Sequence, residues 1–224
     1  MLGAVASALA SALINPEAVR GVYRALFASE TAATDPTQSP APPEHKEVVD
    51  RSGALALLIP ADWGAADSSF QDADDETPLG PGLIAAPDPA LPRTTWREPR
   101  VFFGASRSLV EQLELGSNTE RAREVLTDYA RTWDWTLDNC TLETESVYER
   151  GFYWGIVRRW KGCGHLPVHF WEMWVLDEDL QFVAVLQVQF PEAAGVDAAQ
   201  PIFEGFRVSP DGLNGELTGD SALP

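Results

Sequence analysis

Between residues 48 and 208, short apolar runs alternate with stretches of glycine, proline and polar residues, which is a pattern typical of β-strands. The first runs are GALALLIP at 53–60, LIAAP at 83–87 and VFFGAS at 101–106. The stretch SSFQDADDETPLGPG at 68–82 has no such run. We therefore predict strands for the three runs and a loop for the fourth segment.

One segment has the periodicity of a helix instead. Ser117 followed by Glu120 matches a capping box, which marks the start of a helix. Apolar side chains then recur three and four residues apart over about four turns. They are Ala122, Val125, Leu126, Tyr129 and Trp133. This spacing predicts an amphipathic helix that covers one face of a sheet.

Four more strand-like stretches follow this helix, at 140–148, 152–161, 168–176 and 181–190. The links between them are short enough for antiparallel hairpins. A last helix is predicted at 196–204, compromised by Pro201, and FRV at 206–208 is predicted to form a final strand. The predicted fold class is α+β: an antiparallel β-sheet with helices packed on it.

The chain is predicted to have four parts. Residues 1–28 form an apolar or amphipathic N-terminal segment, and residues 29–47, rich in proline, threonine and alanine, form a linker. Residues 48–208 form the α+β domain, and residues 209–224 form a flexible tail. The first fourteen residues carry no charged side chain and are shorter than the roughly 20 apolar residues of a transmembrane helix. They fit either a signal-peptide or anchor remnant that lacks a basic start, or a small amphipathic helix.

Composition narrows the classes of partner. The 224 residues are 45% hydrophobic and include eight tryptophans, which favours a folded domain over a disordered chain. The formal net charge of −18 argues against nucleic acid and against anionic lipid surfaces, since both attract basic proteins. The acidic residues are spread along the chain, as on a soluble surface.

The only two cysteines, Cys140 and Cys163, flank a predicted hairpin. If a four-residue loop joins its strands, Tyr148 lies opposite Tyr153, and Cys140 lies opposite Lys161. Cys163 is then a diagonal neighbour at about 7–8 Å, slightly beyond disulfide reach.

A β-bulge at Gly162 would close that gap between the cysteines. The same register places Glu143 opposite Arg158, a favourable pair of charges on the other face of the hairpin. We therefore expect a disulfide, and with it an oxidising compartment outside the cytoplasmic membrane.

A metal clip and a redox couple are the alternatives for the two cysteines. A structural zinc site needs four ligands, and in a strand His165 and His169 lie far apart while Glu172 points to the opposite face. A redox couple would more commonly show Cys-x-x-Cys at a helix start. Reduced cysteines would favour a cytoplasmic protein.

Candidate chemistry is sparse in this sequence. It contains no phosphate-binding loop, dinucleotide fingerprint, nucleophile elbow or zinc-protease motif. Asp72, Asp74 and Glu76 offer oxygen ligands for calcium, but Thr77 stands where an EF-hand needs glycine, so a solvated acidic loop is the simpler interpretation. We predict no catalytic residue, no metal and no cofactor.

Aromatic residues form rows on two of the predicted strands. The candidate ligand or partner surface consists of Trp154, Trp160, Phe170, Glu172 and Trp174. Core packing beneath the helices is the simpler interpretation, and an aromatic-lined groove is the functional one. Glu172 lies within an apolar row and needs a partner there, which Arg158 or Arg159 could supply.

The order LIAAPD, then VFFGAS, a helix, the hairpin between the cysteines, VAVLQVQF and FRV resembles PsbP-like domains of secreted or membrane-anchored actinobacterial proteins. Their superfamily includes the photosystem II extrinsic protein, the Ran-binding Mog family and LpqN-type envelope lipoproteins. The resemblance covers Ser52 to Ser209. Its most specific element is the paired cysteines with Tyr153, Gly155 and Trp160 between them. Arg100, in place of an expected glycine, and Pro201 depart from the pattern, and no lipobox cysteine is present.

The resemblance implies an α/β/α sandwich and a non-catalytic binding or assembly role. We therefore expect a non-enzymatic extracytoplasmic domain at the cell envelope that contacts an envelope or membrane-complex protein. The alternative is a carrier of a small apolar or lipid-like ligand in an aromatic-lined cavity. No partner nucleic acid and no membrane span of its own are expected, and the resemblance carries over no ligand-binding residue.

Overall fold

Ten strands and three α-helices are formed by the residues that the computed structural model describes, which are 44–71, 77–90, 96, 98–133, 139–192 and 199–214. In chain order they are β1 His45–Val49, β2 Leu55–Pro60, β3 Gly64–Gln71, β4 Pro78–Ala86, β5 Arg100–Ser106, α1 Ser108–Gln112, α2 Thr119–Thr132, β6 Thr141–Arg150, β7 Tyr153–Lys161, β8 Val168–Asp177, β9 Val183–Pro191, α3 Gln200–Gly205 and β10 Arg207–Val208.

These strands form two antiparallel sheets. The larger has the order β3-β4-β5-β9-β8-β7-β6, and the smaller has the order β1-β2-β10. The predicted α+β class is confirmed, as are the meander from β6 to β9 and the final strand.

Apolar side chains cover both faces of the large sheet. On one face, Ile156 and Trp174 pack in a cluster with Leu126 of α2. On the other face, Met173 packs in a cluster with Leu57 of the small sheet and with α3. Alternate residues of β7, β8 and β9 thus enter two different cores, which is why these strands read as nearly continuous apolar runs. The layers match the expected sandwich, with the small sheet accompanying α3 on the second face.

The predicted loop at 68–82 is wrong, because its ends belong to the hairpin of β3 and β4. The sequence gives only a weak indication of a strand here, because β4 begins with Pro-Leu-Gly-Pro-Gly. Those glycines let neighbouring backbones approach: a Cβ on Gly80 would lie 2.0 Å from the carbonyl oxygen of Ala105. Phe70 anchors β3 by burying its ring in the core. The first strand, β1, was also missed, since it begins at His45 inside the predicted linker 29–47.

Helix α2 occurs where the periodicity predicts it, but its cap differs by one residue. Asn118, not Ser117, is the N-cap, and its side chain accepts a hydrogen bond of 3.0 Å from the backbone N–H of Arg121. Helix α3 begins at Gln200, so Pro201 lies in the first turn, where proline is tolerated. The predicted N-terminal segment 1–28, most of the linker and the end of the tail lie outside the described residues. In the described part of the chain, no helix is long and apolar enough to cross a membrane.

Candidate functional site

The hairpin of β6 and β7 has a tighter turn than the sequence suggested. Only Gly151 and Phe152 separate the strands, and Gly151 has a φ of +60°, as in two-residue turns that start with glycine. Tyr148 therefore lies opposite Gly155, and the predicted pairing of Tyr148 with Tyr153 is wrong by two residues. A shift of two residues preserves which side chains share a face.

The predicted disulfide is confirmed: Cys140 and Cys163 are bonded, with their Cα atoms 4.2 Å apart. The bulge that accommodates this bond lies at Glu143 in β6, not at Gly162 as expected. Gly162 instead follows the last residue of β7 and has a φ of +69°. Displaced by the bulge, the Glu143 carboxylate lies 2.8 Å from Lys161 Nζ, so the predicted pairing of Glu143 with Arg158 is wrong.

The residues predicted as a ligand or partner surface are mostly interior. Trp174 lies beneath α2, where its ring packs against those of Tyr129 and Trp133. Trp160 and Phe170 pack around the disulfide. Trp160, Phe170 and Trp174 are buried, and so is Glu172. Of the five predicted surface residues, only Trp154 is partly exposed. Four of the five residues are therefore interior, because α2 covers Trp174 while the disulfide and the ring of Trp96 pack against Trp160 and Phe170.

Glu172 has the partner that its buried position requires. Its carboxylate, only 1% exposed, lies 3.7 Å from the guanidinium of Arg158, which is 3% exposed. Gln187 donates a further hydrogen bond of 3.2 Å to Glu172, and Arg158 donates one of 2.9 Å to the carbonyl of Ala130 at the end of α2. Of the two expected partners, Arg158 is the one observed.

Glu145 extends this network of charged side chains from the interior to the surface. Its carboxylate lies 3.6 Å from Arg158 Nε and 2.6 Å from a guanidinium nitrogen of Arg131 on α2. The hydrogen bond from Arg131 lowers the pKa of Glu145 below its ordinary value. These contacts connect β6, β7 and β8 to α2, and we interpret them as stabilising the fold rather than as a binding site.

Two pockets, both open to solvent, flank the hairpin. One, of about 250 Å³, lies between the first half of α2 and the hairpin tip, with Arg123 stacked 4.9 Å from the ring of Trp154. The other, of about 340 Å³, lies on the opposite face, where Arg159 stacks 4.1 Å from the ring of Trp171. Of the aromatic residues expected to line a carrier's cavity, Trp154 lines the first pocket, and neither of these two pockets is lined by Trp160, Phe170 or Trp174.

Exposed apolar side chains concentrate on this hairpin. Four large ones are exposed among the described residues, and three of them are Leu142, Val147 at 63% and Phe152 at 53%. Leu142 and Val147 lie in β6, the last strand of the large sheet. We call Leu142, Val147, Phe152 and the partly exposed Trp154 the hairpin surface.

Sequence reasoning named Trp154 but missed Leu142, Val147 and Phe152 of this surface, although a signal was present. The β6 sequence TLETESVYER is polar at most positions on both faces, whereas β7 and β8 are apolar on both. In the structure β6 is exposed at every position but Tyr148. A polar strand beside two buried ones indicates the sheet edge, and its few apolar residues are then the exposed ones.

No metal site is supported by the part of the chain that is described. It contains no group of three or more histidine, cysteine, aspartate or glutamate residues that could hold a metal ion. The calcium candidates Asp72, Asp74 and Glu76 lie outside the described residues.

No protein-family model matches the chain, and no curated protein sequence does either. Similar solved structures include the cyanobacterial PsbP of Synechocystis sp. PCC 6803, with 12% identity and a TM-score of 0.44 over 78% of this chain and 99% of that one. The Ran-binding protein Mog1p of Saccharomyces cerevisiae has 11% identity and a TM-score of 0.41 over 75% and 96% of the two chains. LpqN of Mycobacterium tuberculosis, described as involved in cell envelope biogenesis, has 15% identity and a TM-score of 0.40 over 75% and 91%. These are the three kinds of protein that the sequence resembles; the likeness concerns the fold, and no function is taken from it.

Proposed function

We propose that this chain is a non-enzymatic protein-binding domain that acts outside the cytoplasmic membrane, at the cell envelope, and that the hairpin surface is its contact. The observation that carries this proposal is the concentration of exposed apolar side chains on one hairpin at the edge of the sheet. Exposed apolar groups that cluster mark interaction sites, whereas scattered ones are ordinary.

The chemistry of the hairpin surface suits a protein partner. Phe152 and Trp154 are aromatic, and the guanidinium of Arg123 stacks on Trp154. Aromatic residues and arginine are the side chains that most often dominate the binding energy of protein interfaces. The surface is built on a tight turn and an edge strand, so a partner would close over it rather than enter a cavity.

The disulfide supports the compartment in this proposal. Cys140 and Cys163 are both in the bond, and the described residues contain no free cysteine. Disulfides of this structural kind persist in oxidising compartments and are rare in the cytosol.

Site-specific photo-crosslinking in the producing cells tests the contact. A photoreactive phenylalanine analogue is placed at Val147 or at Phe152 and, as a matched control, at the exposed Ala66 on the opposite edge strand β3. The proposal predicts that one protein is crosslinked from both hairpin positions and not from Ala66. Its purified form should then bind the wild-type chain, and Val147→Lys should weaken that binding by about tenfold or more, equivalent to about 1.4 kcal/mol.

Crosslinking that is equal from all three positions, or absent from the hairpin, would contradict the proposed contact. A crosslinked protein whose binding is unchanged by Val147→Lys and by Phe152→Ser would do the same. Circular dichroism of the variants separates lost binding from lost folding.

A further inference from the structure

Strand β6 presents an unpaired row of backbone groups. In a two-residue hairpin the residues beside the turn, here Arg150 and Tyr153, exchange both backbone hydrogen bonds, and such pairs alternate along the strands. The N–H and C=O groups of Glu145, Val147 and Glu149 therefore point away from β7. No other strand of the described structure pairs with them, since β6 ends the sheet.

The side chains along this row have a defined pattern. Glu145, Val147 and Glu149 share the face of β7 that carries Arg158, Ile156 and Trp154, as their cross-strand pairing shows. The row is thus acidic, apolar and acidic, and of its two carboxylates that of Glu145 is already held by Arg131 and Arg158. Val147 is the most exposed large apolar residue described, and Glu149 is exposed and makes no ion pair with another described residue.

We propose that an extended segment of the partner protein adds to β6 as an eighth strand of the large sheet, with a basic residue opposite Glu149 and an apolar residue opposite Val147. This inference rests on the proposed function and names its mode and the partner's chemistry. Main-chain hydrogen bonds would supply affinity in such an addition, and alternate side chains would supply specificity.

A second copy of this chain fits the same edge poorly. If two β6 strands paired antiparallel around Val147, Glu145 of each would face Glu149 of the other. Like charges directly opposite each other in a sheet are destabilising. Two chains of net charge −18 also repel each other, whereas a basic segment is attracted.

The two ends of the regular edge are set by the fold. The bulge at Glu143 interrupts the ladder on one side, and the turn at Gly151 ends it on the other. Bulges are a common protection of sheet edges against further pairing. Strand addition is therefore confined to the stretch between them, which holds the row of Glu145, Val147 and Glu149.

A synthetic peptide tests the inference without knowledge of the natural partner. The probe is the capped peptide Thr-Lys-Thr-Val-Thr-Arg-Thr, added to the folded, isotope-labelled chain, and amide hydrogen exchange is followed residue by residue. Protection should rise at Glu145, Val147 and Glu149 and stay unchanged at Ser146 and Tyr148, whose N–H groups already bond to β7. The charge-reversed peptide, with glutamate for lysine and arginine, should bind about tenfold more weakly.

Two backbone changes test the hydrogen bonds themselves. Val147→Pro removes an outward N–H without removing a bond to β7, and should weaken peptide binding about tenfold or more, whereas Val147→Thr should change it by less than about threefold. If Val147→Pro perturbs folding, the peptide N-methylated at its valine removes the matching donor from the other side.

Binding that is insensitive to N-methylation and to Val147→Pro, or protection without alternation along β6, would overturn strand addition. A concentration-dependent dimer that gives the alternating protection in the absence of peptide would overturn the choice of a basic partner. A partner that crosslinks to Phe152 yet leaves the amides of Glu145, Val147 and Glu149 exchanging would leave the proposed function standing and refute this inference alone.

Discussion

At the scale of single residues, the buried charges Arg158 and Glu172 are the most demanding feature of the domain. Both lie under α2 between the sheet and the helix end, where an unpaired charge is costly. Their mutual contact, the amide of Gln187 and the carbonyl of Ala130 replace the water that each has lost. Such a pair is strongly sensitive to the loss of one partner and much less to the loss of both.

We therefore predict that Arg158→Met lowers the free energy of unfolding by about 3–5 kcal/mol, because Glu172 is left as a buried charge. Arg158→Met combined with Glu172→Leu should recover most of that loss. The control is Arg121→Met, which removes an exposed pair with Glu124 and should cost no more than about 1 kcal/mol. Denaturant titration measures all three, and a double variant as unstable as Arg158→Met alone would contradict this account.

The Arg131–Glu145 contact gives the domain an acid-sensitive component. The hydrogen bond from Arg131 holds the pKa of Glu145 below its ordinary value of 4.5. A carboxyl whose pKa is lower in the folded state contributes stability above its unfolded pKa and loses it as pH falls through the folded pKa. Unfolding free energy should therefore fall less steeply below pH 4.5 in Glu145→Gln than in the wild type; identical slopes would exclude the contribution.

At the scale of elements, α2 and the β6–β7 hairpin decide where the surface lies. Helix α2 covers Trp174 and leaves the hairpin tip exposed. Its start depends on a cap that the sequence placed one residue too early, since the Ser117–Glu120 spacing fits a capping box but Asn118 makes the observed bond.

Asn118→Ala should cost about 1 kcal/mol of unfolding free energy, whereas Ser117→Ala should cost much less, because only the first removes an acceptor from a helix N–H. Thermal or denaturant unfolding of both variants makes the comparison. A larger cost for Ser117→Ala than for Asn118→Ala would instead identify Ser117 as the N-cap, as the sequence suggested.

The disulfide closes the hairpin at the end opposite its turn. The cysteines are 23 residues apart in sequence, and a crosslink over a loop of this length contributes about 3 kcal/mol by restricting the unfolded chain. We predict a loss of that order in the variant that carries Cys140→Ser and Cys163→Ser, measured by denaturant titration. A loss well below 1 kcal/mol would show that the hairpin needs no crosslink.

The sequence predicts much of the order of strands and helices, but it does not predict which residues of neighbouring strands lie opposite each other. Strands β6 to β9 were predicted because their links are short, and α2 because its period is helical. The hairpin register was wrong because the alternation that places a side chain on a face is unchanged by a shift of two residues; Gly151 alone indicates the shorter turn. Likewise, β4 was obscured by its glycines and prolines, whose role is close backbone approach at Gly80.

The candidate surface was misplaced for a related reason. Trp160, Phe170 and Trp174 lie on strands that are apolar on both faces, so the sequence does not distinguish a covered face from an open one. That distinction depends on tertiary packing. The exposed Val147 and Phe152 are readable only after β6 is known to be the edge strand.

At the scale of the whole molecule, the described domain is a sheet that is covered on both faces and open along β6. Its acidic character discourages pairing between copies, and its disulfide fixes the hairpin that carries the edge. We propose that this edge and the hairpin surface are available to another protein.

Residue-resolved amide hydrogen exchange of the oxidised chain alone, at several concentrations, distinguishes a free edge from an occupied one. We predict rapid exchange at Glu145, Val147 and Glu149, strong protection at Ser146, Tyr148 and Arg150, and no dependence on concentration. Equal protection of both sets would show that another segment or a second copy already occupies the edge of β6, so that the edge is not free to bind a partner.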